Sequence, residues 1–184
     1  NAVVSTRSVG MLSAQADSYI AELIGDLYSP MYPLNAEHWA TTNAAIRYGQ
    51  ETEAEARRYY AFHCSMDVEQ VGFLTTDDGR FGCSPDGLIG DQGGLELKCP
   101  KPGTHTGYLL AGGLPAAYKP QVHGALIVSG RPWWDFMSYH PGLPPHLFRV
   151  VPDEYTNALS AALELFWVRY QEALAKIKGA GSES

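Results

Sequence analysis

The segment Leu95-Glu96-Leu97-Lys98-Cys99 puts two opposite charges inside a short apolar strand. Side chains alternate faces along a strand, so Glu96 and Lys98 share one face while Leu95, Leu97 and Cys99 share the other. Charges in apolar surroundings are costly unless they find partners. A further carboxylate, Asp86, lies ten residues before Glu96, within Ser84-Pro85-Asp86-Gly87-Leu88. A hairpin of 86–90 with 94–99, turning at Gly90–Gly94, brings Asp86 close to Glu96 and Lys98. Two carboxylates about 4 Å apart repel by about 4 kcal/mol at an effective dielectric near 20. A divalent cation offsets that repulsion, and hard oxygen donors are what Mg²⁺ takes. With Lys98 alongside to orient or deprotonate a water, the set has the parts needed to hydrolyse a phosphodiester. By itself, however, a D-x₉-E-x-K spacing more often marks a hairpin with a surface ion pair, Lys98 to Glu96 or to Asp86.

The rest of the chain reads as helices and strands around one sheet. Ser13 caps a helix through about Tyr28, with Tyr19, Ile20, Leu23, Ile24 and Leu27 on one face. Ser29 to Pro33 breaks it. A helical stretch follows Asn35 to about His63, with a kink near Gly49. Strands are expected near 70–75, 80–83, 86–90 and 94–99. Pro115 opens another helix, with Tyr118, Val122, Ala125 and Leu126 as its apolar side, and Ser129-Gly130 ends it. Trp133–Tyr139 and His146–Val151 read as strands. Asp153 caps a long helix with Leu159, Leu163, Phe166, Tyr170 and Leu174 inward, and Gly179 is its expected stop. This is a mixed α/β pattern. The 184 residues suit a single domain over 1–178, with 179–184 as a disordered tail.

Composition removes several alternatives. With 13 basic residues against 20 acidic and a net charge of −7, the chain is no polybasic binder living on phosphate neutralisation. An enzyme acting on nucleic acid remains compatible, because it can bring its cations as metals. Cys64, Cys83 and Cys99 form no CxxC pair, which argues against a disulfide framework and a structural zinc site. Reduced thiols of a cytoplasmic protein are the simplest account. No apolar run approaches a membrane span, and no basic-then-apolar leader opens the chain, so neither a membrane anchor nor a secretory signal is expected.

The residues around the charged strand sharpen the reading. Cys83 to Leu88 and Gly94 to Pro100 resemble the PD-(D/E)xK nuclease signature, and more narrowly the phage lambda exonuclease and YqaJ-like viral recombinase family. The family's upstream helix motif is matched by Tyr48-Gly49-Gln50-Glu51-Thr52-Glu53-Ala54-Glu55-Ala56-Arg57. Its glutamine helix is matched by Tyr118-Lys119-Pro120-Gln121-Val122-His123, and its aromatic strand by Trp133 to Tyr139. The motifs run in order over roughly residues 44–175. The resemblance implies a restriction-endonuclease-like core, a central mixed β-sheet flanked by helices. It implies Asp86 and Glu96 as metal ligands, joined by the Leu97 backbone carbonyl and by Glu53. Lys98 then positions the attacking water, and Gln121 lines the site. From residue type alone, Glu53 reads as one solvated charge among Glu51, Glu53 and Glu55, and Gln121 as a helix-surface amide.

The resemblance further implies a Mg²⁺-dependent exonuclease, with Mn²⁺ able to substitute. It would degrade one strand of double-stranded DNA from 5′ to 3′ and leave a 3′ overhang for recombination. Expected partners are duplex ends, two further copies in a trimeric ring, and a single-strand annealing protein, in the cytoplasm of a bacterium or phage-infected host. Family members carry a Trp and an Arg ahead of a small-residue helix start. Here Val4-Ser5-Thr6-Arg7-Ser8 stands for that start, leaving Ser5, Thr6 and Arg7 as the 5′-phosphate pocket. The segment around Trp39 to Ile46 is a candidate strand-separating wedge. Lys101, Lys119 and Arg131 are candidate phosphate contacts, or simply solubilising surface charges. Trp133 and Trp134 could stack bases, but neighbours in a strand face opposite ways, so at least one belongs to the core. His63, His105, His123 and His140 show no metal-ligand spacing. Two other readings are an endonuclease of the same superfold and a catalytically silent DNA-end-binding subunit. The first would cut closed circles, and the second has no use for an intact Asp86, Glu96 and Lys98.

Overall fold

The computed structural model describes residues 12–13, 15–28 and 52–181. Ser5, Thr6 and Arg7, the Trp39–Ile46 segment, and the part of the second helix before residue 52 lie outside them. The chain divides into two compact units, Asn1–Ala36 with Glu154–Ser184, and Glu37–Asp153.

The first unit holds α1 (Ala16–Tyr28) and the last helix, Glu154–Gly181. Ala16, Ile20 and Ile24, spaced by four, form one stripe and pack with Phe166 and Leu174. Tyr19 and Leu27, expected on that face, are exposed. The last helix continues through Gly179 to Gly181. Gly179 does not take the left-handed conformation that ends a helix. In the right-handed form a glycine only weakens a helix, by about 1 kcal/mol relative to alanine.

The second unit is built on a four-stranded mixed sheet. Its elements are α2 (52–64), β1 (Leu74–Thr75), β2 (Gly82–Cys83), β3 (Gly87–Ile89), β4 (Gly93–Lys98), α3 (Pro102–Ala111), a 3₁₀ turn (Ala116–Tyr118), α4 (Lys119–Ser129), β5 (Trp133–Ser138) and β6 (His146–Val150). The sheet order is β3-β4-β5-β6. β3 and β4 form the expected antiparallel hairpin, with Gly87 opposite Leu95 and Ile89 opposite Gly93. β4 and β5 run parallel, and β5 and β6 antiparallel. The parallel step needs a crossover, which α3 and α4 supply. The first two expected strands pair only with each other, in a separate two-stranded sheet.

Two helices cover the two faces of this sheet. Ala56 and Tyr60 of α2 pack with Ile89, Leu95, Leu97, Met137 and Tyr139. Val122, Ala125 and Leu126 of α4 pack with Leu88, Trp134, Phe136 and Val150. α4 begins later than Pro115: the 3₁₀ turn intervenes, Pro120 sits in the first turn, and Gly130 ends the helix in the left-handed conformation. Helix α3 was not legible in the sequence, because its two glycines and two threonines blur any apolar period.

A buried polar anchor holds α2 to the sheet. Asp135 on β5 is 2% exposed and lies opposite Arg149 on β6. Arg149 donates from Nε and Nη2 to its two carboxylate oxygens, each at 2.8 Å. The Tyr60 hydroxyl of α2 donates to Asp135 Oδ2 at 2.7 Å. The guanidinium also lies over the Trp133 ring, 3.7 Å from its centroid. Arg149 is half exposed, so without Asp135 its charge turns to water, while the buried Tyr60 hydroxyl is left without its acceptor. Asp135→Ala is expected to lower stability by about 1–3 kcal/mol in a urea titration.

Gly93 and Gly94 open β4 beneath two indoles. A Cβ on Gly94 would sit 2.2 Å from the Trp134 ring, and one on Gly93 2.1 Å from the Trp133 ring. Trp134 is fully buried and has little room to give. Gly94→Ala is therefore expected to cost about 1–3 kcal/mol, read as a lower urea midpoint at unchanged slope.

Candidate active site

The hairpin register carries the site. Gly87 pairs with Leu95, so one step further out Asp86 faces Glu96. The Asp86 backbone N–H donates to the Leu95 carbonyl at 3.1 Å. Its carboxylate Oδ2 accepts the Leu97 N–H at 2.6 Å. Asp86 is thus locked to β4 through both main chain and side chain. Glu96, 2% exposed, sits in the middle of that strand.

Glu96 Oε1 receives two donors. Lys98 Nζ forms an ion pair with it, and Gln121 Nε2 of α4 donates to it at 2.7 Å. The Lys98 ammonium also lies 5.3 Å from the centroid of the Tyr118 ring, which stacks on Phe136. Gln121 belongs to the site because the first turn of α4 aims it at β4, one residue before the sheet-packing Val122.

Glu53 comes from α2. Its Oε1 is 2.6 Å from Arg57 Nη2, one helical turn on. Arg57 Nε donates to the Asp86 carbonyl at 2.9 Å. Arg57 was read in the sequence only as part of a motif, although a Glu–Arg pair at i, i+4 on a helix is a legible signal. Its second bond is not legible, because it joins α2 to the hairpin.

The electrostatics are those of crowded, desolvated carboxylates. Burial, then the Asp86 charge, push the Glu96 carboxyl up to about 7, against the pull of Lys98. Asp86 is also raised, first by burial and then by Glu53, against the Leu97 N–H and Lys98. The Cys99 thiol next door is pushed up to about 11 by burial, Glu53 and Asp86. Two buried carboxylates that resist losing protons are a donor set suited to a hard divalent cation. As they stand, the described residues bring no three His, Cys, Asp or Glu side chains together as a metal-holding group. Glu53, expected to join Asp86 and Glu96, is engaged by Arg57.

The remaining candidates lie apart from this cluster or are otherwise employed. Lys101 is exposed just before α3, and Lys119 is the half-buried first residue of α4. Arg131 donates from Nη1 to the carbonyls of Gly90 and Gly93, both at 2.7 Å, and so staples the β3–β4 turn. Trp134 is core and Trp133 is covered by Arg149. His105 is fully buried: its Nε2–H donates to the Pro144 carbonyl at 2.9 Å, and Nδ1 lies 2.7 Å from the Ser138 hydroxyl. These contacts employ His105 structurally, between α3, β5 and the loop before β6.

The raised Glu96 carboxyl makes a prediction with a definite sign. Between pH 4.5 and 7 the unfolded chain ionises Glu96 while the folded chain keeps it protonated. The folded state therefore loses stability as pH rises through this window, and the penalty is fully present above it. Glu96→Gln removes the penalty. In EDTA at pH 8 it is expected to raise stability by up to about 3 kcal/mol, with no gain at pH 4, measured by urea unfolding.

Known proteins resemble this chain in sequence and in fold. A family model described as the YqaJ-like viral recombinase domain matches residues 4–132. A crystal structure of an alkaline exonuclease, LHK-Exo from Laribacter hongkongensis, superposes with a TM-score of 0.79 at 28% identity, covering 98% of this chain and 89% of that one. LHK-Exo in complex with dAMP gives 0.77 at 29% identity, over 93% and 87%. A phage-related exonuclease from Haemophilus somnus 129PT shares the fold, with a TM-score of 0.66 at 10% identity over 96% and 92%. No curated protein gives a significant match.

Proposed function

The chain belongs to the YqaJ-like viral recombinase family, and from that premise we propose that it is a Mg²⁺-dependent exonuclease. In this reading it degrades one strand of duplex DNA from 5′ to 3′ and leaves a 3′ overhang for recombination. Family membership and the likeness to alkaline exonucleases support a nuclease role. The observation that carries the finer reading is the meeting of Asp86, Glu96, Lys98 and Gln121 at the open end of the β3–β4 hairpin.

The roles follow from chemistry. Asp86 and Glu96 would hold the cation, with the Leu97 carbonyl and Glu53 as further oxygens. When bound, it would polarise a phosphodiester and make a water acidic at neutral pH. Lys98 keeps its ammonium at the carboxylate edge, where its N–H groups can orient that water. Gln121 holds Glu96 Oε1 in place through its amide. α2 and α4, packed on opposite faces of the sheet, keep these groups in one frame. Mn²⁺ has the same preference for oxygen and would substitute.

Direction must come from how the end is held, because the chemistry itself cuts any phosphodiester. A terminal 5′ phosphate carries about one charge more than an internal one near neutral pH. Ser5, Thr6 and Arg7 are proposed to receive it, and Lys101 and Lys119 to contact other phosphates. A trimeric ring enclosing the duplex would suit an acidic protein, since enclosure replaces charge attraction. A single-strand annealing protein would take up the product strand, in the cytoplasm of a bacterium or infected host.

Asp86→Ala, Glu96→Ala and Lys98→Ala are each expected to cut the rate by about 10³-fold or more, since a cation site of this kind contributes several kcal/mol. Gln121→Ala is expected to cost about 10–100-fold. The assay uses linear duplexes labelled on either strand, with and without a 5′ phosphate, in Mg²⁺ or EDTA. Loss of the 5′-ended strand, stimulated by the phosphate, supports the proposal. Cleavage of covalently closed circles points to an endonuclease instead, and Asp86→Ala cutting at the wild-type rate refutes the site. Arg7→Ala should lose the phosphate preference, and if the preference persists in full the end is held elsewhere.

A further inference from the structure

We propose that Arg57 is the positioning residue of the acidic site, holding the Glu53 carboxylate and the Asp86 main chain in one frame. The inference rests on the cation-dependent reading above and names a residue that reading does not use. Its geometry differs from that of an ordinary helix ion pair. The guanidinium serves two acceptors at once: Nη2 meets Glu53 Oε1 at 2.6 Å and Nε donates to the Asp86 carbonyl at 2.9 Å. Those acceptors belong to separate segments, one turn away on α2 and 29 residues away at the entry to β3. Only a planar, forked donor reaches two such acceptors with a fixed angle between them.

Burial supports the same assignment. The Arg57 side chain is 13% exposed and that of Glu53 37%. A solvated helix pair would leave both charges in water and contribute little. Ala56 and Tyr60 already attach α2 to the sheet through the apolar face and the Tyr60–Asp135 bond, so the Arg57 bond to the hairpin adds to an attachment made elsewhere. The Arg57 charge, moreover, has the wrong sign for a place beside a cation site. A guanidinium there repels an incoming cation, so its position calls for a compensating gain. That gain is alignment: with Arg57 in place, the α2 carboxylate and the hairpin carboxylates hold their oxygens in a constant relation.

Arg57→Lys separates alignment from charge. Lysine keeps the positive charge, and with it the repulsion of a cation, but its single ammonium cannot copy the fork. Mn²⁺ is titrated calorimetrically into the DNA-free protein, and the Mg²⁺ dependence of duplex digestion is measured alongside. Thermal unfolding in EDTA reports the fold. Arg57→Lys is expected to weaken Mn²⁺ binding by about 10–100-fold and to raise the half-saturating Mg²⁺ concentration similarly, with the EDTA melting midpoint close to wild type. Added to Glu53→Gln, it should weaken binding by less than its own full factor. Wild-type Mn²⁺ affinity in folded Arg57→Lys overturns the inference, whether or not the melting midpoint moves. Strict additivity with Glu53→Gln overturns it too. A wild-type protein that binds no Mn²⁺ and digests no DNA sinks the proposed function, and this inference with it. Binding and digestion in wild type with an unaffected Arg57→Lys sink this inference alone.

Discussion

Holding the Glu96 carboxylate almost out of solvent, in the middle of the sheet, is the constraint to which the rest of the second unit answers. Its strand must be apolar on one face to fold and acidic on the other to act. Leu95 and Leu97 meet that demand by joining the α2-side core. On the other face Glu96 has three neighbours that manage its charge: Asp86 opposes it, while Lys98 and Gln121 attract it. The hairpin, the lysine two residues on and the glutamine of α4 are therefore parts of one electrostatic arrangement. Without a cation it rests on a raised proton affinity and on paired side chains.

Two devices keep that arrangement rigid. The first is close approach at the start of β4, where Gly93 and Gly94 let the indoles of Trp133 and Trp134 lie against the backbone. The second is the anchor of Asp135 with Arg149 and Tyr60, which sets α2 over the sheet. α2 bears Glu53 and Arg57, so a buried aspartate on β5, bonded to Tyr60, helps to set how the helix carboxylate meets the hairpin. A site built this way is preorganised by packing rather than by the loops around it.

Much of the site was legible because it is local. Strand alternation put Glu96 and Lys98 on one face, and the Gly90–Gly94 turn set the hairpin that opposes Asp86 to Glu96. The glycine-closed end of α4 was legible too, but its start was expected at Pro115 and falls at Lys119, and Gln121 entered only through the family resemblance. Less legible were features whose partners lie far apart in the chain. Tyr60 meets Asp135 across 75 residues, and nothing in an aromatic strand says that its aspartate is a buried anchor. Helix α3 lacked an apolar period, and Gly179 read as a stop because glycine marks helix ends only when the backbone turns left-handed.

By itself the sequence determined the period of most elements, the turn chemistry, the charged strand and the order of the motifs, since these depend on neighbours within one or two turns of chain. It also carried the family resemblance, which the match over residues 4–132 bears out. Tertiary structure alone decided which strand lies beside β4, which face each helix covers, and that Arg57 reaches the Asp86 carbonyl. Those outcomes depend on burial and shape summed over segments tens of residues apart. A local pattern says which side chains seek a partner, and only the packed fold says which partner comes within reach.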